Sequence, residues 1–411
     1  MSEPAKKPTG SMPGVQPESY QPQKPEMMRA LEAAQRQTEA QGAFQAAASS
    51  SGGSGSIPNI HRLINSDHGE NYWFNGCAAY VMEALGEPDY DYWFFAGLTG
   101  DNFAPVYAYD HFRGDGSVTD YRLSDGDHST VLGIFSTCGY DADFVPETVL
   151  RADPEPYLQK LVDYIDRGIP VIRYWCGWHV CVGYEDYGKT LLCMTGDNEE
   201  PYRVTAEELF EGGQKHKDAF HWFGWIFVGE KKEQKDLPQL YRNAIANLPK
   251  LLSTRTEGYC FGAEAFRAWA ANIESGKFDG MKPEEFEGFG LWDMYTIHVC
   301  NLATNSGGSQ RFIRKALELN PDLAFLEDVC RQYRITGMLW NSREDSDGFA
   351  KEYAKQHGKA KDLAKLGGGF KIKLKTLQNP RKRAKIVAVI RQCADCMDEV
   401  VRILEKEVRG L

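Results

Sequence analysis

The chain has 411 residues, with 47 lysines and arginines against 58 aspartates and glutamates, for a formal net charge of −11. That balance argues against sequence-independent binding to a phosphate backbone. No apolar run reaches the ~18–20 residues of a membrane-spanning helix, and no apolar leader opens the chain, so a cytoplasmic protein is expected. At roughly 100–200 residues per domain, two or three domains are expected.

Residues 1–56 form an arm set apart by composition. They are rich in Pro, Gln, Ala, Ser and Gly, with Tyr20 and Phe44 as their aromatics, and cannot bury enough apolar surface to offset the entropy of ordering. Within the arm, Glu26–Ala48 has the composition of a marginal helix, and Ser49–Ser56 reads as a flexible linker.

Residues 57–230 are aromatic-rich. Cys77–Leu85 (CAAYVMEAL) has helical spacing and stops at Gly86, and Pro156–Arg167 is a second amphipathic helix stopped by Gly168. Ile169–Trp175, His179–Glu185 and Thr190–Thr195 read as strands, the last two joined as a hairpin through Asp186–Lys189, and Trp222–Val228 reads as a final strand. Helices first and an antiparallel sheet later is an α+β order rather than the alternation of a dinucleotide-binding fold.

The charged run Glu230–Asp236 (EKKEQKD) marks a boundary. Residues 237–411 read as an all-helical domain with helices at Leu240–Leu252, Ala263–Ser275, Trp292–Leu302, Gln310–Leu319, Leu323–Tyr333 and Lys382–Val408.

Ten cysteines over this length are too few for a disulfide scaffold and are expected to be reduced. Cys77 stands at the expected start of a helix, where unpaired N–H groups and partial positive charge favour a thiolate and can stabilise an oxyanion. A thiolate needs an imidazole to hold and deliver its proton, and His179 opens a strand about 100 residues later. Asp197 follows the next strand, where an antiparallel neighbour can fix the imidazole tautomer. The bland alternatives are a packed thiol at Cys77, a core histidine at 179 and a turn residue at Asp197.

Cysteine on a helix, histidine on a strand and Asp or Asn one strand later is the chain order of papain-like cysteine proteins, especially the C39-like peptidase group. Gly76–Phe103 (GCAAYVMEALGEPDYDYWFFAGLTGDNF) resembles the N-terminal domain of the butirosin-biosynthesis protein H family, and the resemblance covers about residues 60–230. It implies a papain-like α+β domain and acyl chemistry through Cys77, His179 and Asp197. The expected substrates are a peptide, an amide or an acyl thioester, including one on a carrier protein. The C39-like pattern has a Gln six residues before the cysteine as oxyanion donor. Here Asn71 stands in that place, one methylene shorter, so Asn75 or backbone N–H groups are the alternative donors. The runner-up reading is a papain-like module that binds a peptide or small molecule without turning it over.

No cofactor or metal site is expected. Cys393 and Cys396 form a CxxC without a second ligand pair and read as core. Gly97-Leu98-Thr99-Gly100 is too short for a phosphate loop and reads as a close backbone approach to the Cys77 helix or a substrate. Cys176 and Cys181 flank His179 and read as strand packing, with a redox-sensitive thiol as the alternative. Trp73, Trp93, Phe94, Phe95, Trp175 and Trp178 line a pocket or fill a core. Lys371–Lys385 is basic within an acidic protein and reads as a solvated helix end.

Overall fold

The computed structural model describes residues 53–63, 72–109, 116–174, 177–211, 224–287, 291–342, 348–357 and 361–408. Of the expected features, Glu26–Ala48, Asn71, Trp175 and Cys176 lie outside the described residues.

The first ordered element is β1 (Gly55–Ser56), which pairs antiparallel with residues 183–184. The end of the expected linker is therefore a strand. Small residues fit it there: a Cβ on Gly183 would meet the Gly55 carbonyl oxygen at 2.8 Å. Helix α1 (Trp73–Ala84) begins four residues before Cys77. Helix α2 (Tyr92–Thr99) is capped by the Asp91 carboxylate, which accepts from the Phe94 N–H at 2.8 Å, and ends on Gly100 in the left-handed region at φ +86°. After the short strand β2 (Val106–Ala108), α3 (Val118–Ser124) starts at Ser117, whose hydroxyl accepts from the Asp120 N–H. Helix α4 (Ser129–Thr137), strand β3 (Tyr140–Pro146) and helices α5 (Glu147–Ala152) and α6 (Glu155–Asp166) follow.

The expected strands then appear as β4 (Val171–Tyr174), β5 (Trp178–Glu185) and β6 (Thr190–Met194), with β5 and β6 paired as a hairpin. They are joined by β7 (Tyr202–Thr205), which leads into α7 (Ala206–Glu211), and by β8 (Gly224–Lys231). The sheet is antiparallel, in the order β3-β8-β4-β5-β6-β7 with β1 beside β5.

Side chains alternate across a strand, and directly paired residues share a face. Phe144, Ile226, Ile172, Val180 and Met194 are successive partners and so share one face, together with Trp178. Helix α1 covers that face through Phe74, whose ring centre lies 4.6 Å from that of Trp178. At α4, His128 packs 4.4 Å from Phe144. Val145, Trp225, Arg173, His179, Cys181, Cys193 and Tyr202 share the opposite face. Helix α6 covers it, with Lys160 reaching Asp143 at 2.8 Å and Tyr164 lying 5.2 Å from Phe227.

The second half is helical apart from β9 (Tyr259–Phe261), so the all-helical expectation is corrected by one strand. It pairs with β2 because the backbone groups of Val106–Ala108 need an antiparallel partner. The helices are α8 (Leu237–Leu252), α9 (Gly262–Glu274), α10 (Ile297–Leu319), α11 (Leu326–Asn341), α12 (Phe349–His357) and α13 (Pro380–Glu407). Two helices were expected where α10 runs unbroken through Ser306-Gly307-Gly308-Ser309. Helix α13 buries Cys393 completely, and burial holds its thiol well above the usual range. Lys371, Lys373, Lys375, Arg381, Lys382 and Lys385 are exposed, and Arg383 pairs with Asp279. Among the described residues no helix is long and apolar enough to cross a membrane.

The two halves share one hydrophobic cluster. Phe103 packs edge-on against Phe312 and Tyr333, the Tyr333 hydroxyl donates to the Phe103 carbonyl at 2.9 Å, and the Tyr72 hydroxyl donates to Asn305 at 2.7 Å. The close approach expected at Gly97 is to α10, not to the Cys77 helix or a substrate: a Cβ there would lie 1.9 Å from a Phe312 ring carbon. Gly97→Ala gains about 1 kcal/mol of helix propensity but overpacks a fully buried contact at a cost of about 1–3 kcal/mol or more. Net destabilisation is expected in urea unfolding. An unchanged or raised midpoint would show that Phe312 yields freely.

Candidate functional site

Cys77 is fully buried in the second turn of α1, so it is not at the helix start as expected. Its backbone lies inside the intrahelical ladder, and the unpaired N–H groups belong to the turn that begins at Trp73. The residues before it extend the helix because Asn75 is fastened from both ends of its amide. Asn75 donates to the Asp101 carboxylate at 2.8 Å and accepts from the Thr99 hydroxyl at 3.2 Å. Asp101 also accepts from the Thr119 N–H at 3.2 Å and its hydroxyl at 3.1 Å, and Asn75 and Asp101 are both fully buried. Asn75 is thus committed to holding α1 against the loop after α2 and against α3.

His179 is half-buried near the start of β5. Its Nδ1 is in a short hydrogen bond with the Tyr202 hydroxyl, on the same face of the sheet. Burial raises the Tyr202 phenol far above its ordinary range, so it stays protonated at neutral pH. The other ring nitrogen, Nε2, lies 3.7 Å from the point a Cβ on Gly177 would occupy, and Trp73 Cζ3 lies 3.8 Å from the same point. Gly177 has φ +150°, which a side chain disfavours, and the missing side chain leaves room between the imidazole and the first turn of α1.

Along β5, Trp178 meets α1 through Phe74, and His179 leaves the strand on the other side. The imidazole and α1 approach each other around the end of β5, at Gly177 and Trp73, rather than across the sheet face that Phe74 covers. Asp197 is exposed and does not orient the ring. Its turn is held by Asn198, whose side-chain oxygen accepts from the Thr195 N–H at 2.7 Å and hydroxyl at 2.5 Å, while its amide donates to the Glu200 carbonyl at 2.6 Å. The turn-residue alternative at Asp197 is the one realised. Tyr202 was missed because β7 is only four residues long; its alternation, with Tyr202 and Val204 on one side of the strand, is the signal that could have found it.

A further set of buried polar groups shares the His179 face. The Cys181 and Cys193 sulfurs are 3.5 Å apart, and both residues are fully buried. The Cys181 thiol is pushed well up by its hydrogen bond to Cys193 and by burial, with a smaller contribution from nearby Cys77. Cys193 is drawn down by the hydrogen bond from Cys181, then by the Arg173 guanidinium and the Tyr202 hydroxyl. Arg173 is itself buried and also acts on Glu147.

Three of the six aromatic residues considered as pocket walls are core. Phe94, Phe95 and Trp178 are fully buried or nearly so, with Phe94 against Tyr241 and Phe95 against Phe135. The Arg311 guanidinium lies 4.0 Å over the Trp93 ring. Trp73 and Trp93 are half-buried, and Trp73 stands at the His179 end of α1. Among the described residues no group of three or more His, Cys, Asp or Glu could hold a metal ion.

Two predictions follow from this geometry. Tyr202→Phe should change the imidazole nitrogen shifts and titration of His179 in ¹⁵N NMR, whereas Asp197→Asn should leave both in place; the reverse pattern would restore Asp197 as the orienting group. Burial is the main cause raising the Glu147 carboxyl from 4.5 to about 7, opposed by Arg151 and Arg173. A raised folded-state value means that the folded form holds the proton more tightly. Its stabilising contribution is therefore full below pH 4.5 and lost as pH rises through about 7. Glu147→Gln should remove this fall, no more than about 3 kcal/mol, from urea-derived stability between those pH values. An identical pH profile in the variant would rule Glu147 out as its source.

No protein-family model matches the chain, and no curated protein matches it.

Proposed function

We propose that the chain carries out cysteine-dependent acyl chemistry on an amide or thioester, with Cys77 as nucleophile and His179 as the proton carrier, positioned by Tyr202 rather than Asp197. The Cys77 sulfur attacks the carbonyl carbon, and its proton passes to Nε2 of His179. The tetrahedral intermediate collapses as His179 returns the proton to the departing amine or thiol. Water or an acceptor amine then releases the acyl group. Tyr202, held neutral by burial, fixes the ring through Nδ1 so that Nε2 is the nitrogen that exchanges protons.

The observation that carries this reading is the coincidence at Gly177. The exchangeable nitrogen of an oriented imidazole and the first turn of the cysteine-bearing helix flank the same vacant side-chain position. The resemblance of Gly76–Phe103 to the butirosin-biosynthesis protein H family is consistent with an acyl thioester on a carrier protein as the donor. A papain-like module that binds without turnover is the second reading, and the full burial of Cys77 in the second turn of α1 favours it.

The two readings part on adduct formation. Incubation of the full chain with a short acyl thioester and with acylated peptides, followed by intact-mass spectrometry, should show an acyl adduct that maps to Cys77. The adduct should be abolished by Cys77→Ala and reduced at least tenfold in rate by His179→Ala. Iodoacetamide labelling of the folded protein should map to Cys77 and be lost in Cys77→Ala. A Cys77 that is inert to both reagents in the folded protein would leave the binding reading.

A further inference from the structure

Cys181 on β5 and Cys193 on β6 are directly opposed in register, with sulfurs 3.5 Å apart. Opposed residues on antiparallel strands have Cα atoms about 4.5–5.5 Å apart, inside the ~4.4–6.8 Å that a disulfide spans. A bond of about 2.05 Å then needs a sulfur displacement of roughly 1.5 Å, within reach of side-chain rotation without moving the strands. Among the described residues no other pair of cysteines is opposed on paired strands. Cys393 and Cys396, three apart on α13, are both buried in the helical core, and Cys77, near enough to act on the Cys181 thiol, is carried by a helix.

The surroundings set the two sulfurs apart chemically. Arg173 and the Tyr202 hydroxyl act on Cys193 and draw its thiol down, and its hydrogen bond with Cys181 acts in the same direction. Cys193 is one strand in from the sheet edge at β7, a strand of four residues. Opening of so short an edge strand is a low-energy local event that admits a small oxidant to buried thiols.

We propose that Cys181 and Cys193 are an oxidisable dithiol that a hydroperoxide closes into a cross-strand disulfide, and that closure changes the environment of His179 through Tyr202. The Cys193 sulfur attacks one peroxide oxygen, the O–O bond breaks and hydroxide or alkoxide leaves, giving a sulfenic acid. The Cys181 sulfur then attacks the Cys193 sulfur, the S–O bond breaks and hydroxide leaves. The two thiol protons go to the two departing oxyanions. The two sulfurs lose two electrons in all, and the peroxide is reduced by the same two. Tyr202 acts on both Cys193 and Nδ1 of His179, so drawing the Cys193 sulfur into a disulfide changes the partner beside its hydroxyl and alters the ring's hydrogen bond. This inference stands whether or not Cys77 performs acyl chemistry.

The test is treatment of the folded full chain with hydrogen peroxide, removal of the oxidant, alkylation under denaturing conditions, and peptide mapping by mass spectrometry. A product lighter by two hydrogen atoms is expected, with a Cys181–Cys193 cross-linked peptide, unchanged far-ultraviolet circular dichroism and reversal by dithiothreitol. Cys181→Ser and Cys193→Ser should each abolish the cross-link, and wild-type protein reports the result even where a serine variant fails to fold. The His179 ring resonances should shift between the reduced and oxidised forms. Full alkylation of both cysteines after peroxide, cross-links between other pairs, or cross-linking only after the fold is lost would overturn the dithiol. An unshifted His179 would overturn its coupling to the ring.

Discussion

The alternation of side chains along β5 is the constraint on which the rest of the site depends. A strand can send successive side chains only to opposite faces of its sheet. Trp178 and Val180 are consumed by the core beneath α1, so His179 and Cys181 must emerge on the other face. That single parity brings His179 to Tyr202, Cys181 to Cys193, and Arg173 to all of them. The imidazole and the first turn of the cysteine-bearing helix come together beside Gly177, which has no side chain to fill the gap.

The position of α1 follows from a second constraint, the satisfaction of buried polar groups. Asn75 and Asp101 are both inaccessible to water and must find all their partners inside the protein. They find them in each other, in Thr99 and in Thr119, and this network holds α1, the loop after α2 and α3 at one spacing. With the first turn of α1 held there, Trp73 stands beside the start of β5 and Cys77 is carried one turn inward.

Contact between the two halves is of the same kind as contact within each. The β2–β9 pair, the Phe103–Phe312–Tyr333 cluster and the Tyr72–Asn305 hydrogen bond join segments more than 150 residues apart in sequence. Helix α10 shows how strongly these contacts act. Asn305, Ser306, Gly307, Gly308 and Ser309 are poor helix formers that separate two better segments. Burial against α2 and its loop rewards small side chains there: a Cβ on Gly308 would meet Asn102 at 2.6 Å. The helix is continuous because that packing outweighs propensity.

The sequence alone carried the elements with strong periodicity: α6, α8, α9, α13 and the strands β4, β5, β6 and β8 all stand close to where apolar spacing places them. It also singled out His179 and the Cys77 helix, through residue chemistry and chain order. Tertiary structure decided what propensity is blind to. Strand β7 and helices α3 and α5 are short, and β3, though seven residues long, takes its place by pairing with β8, more than 80 residues on. The start of α1 was displaced by buried hydrogen bonds to Asp101, 26 residues on. The partner of His179 is Tyr202 rather than Asp197, because register and face, set by pairing across three strands, determine which side chains meet. Proximity in sequence after a strand end says only that Asp197 sits in a turn.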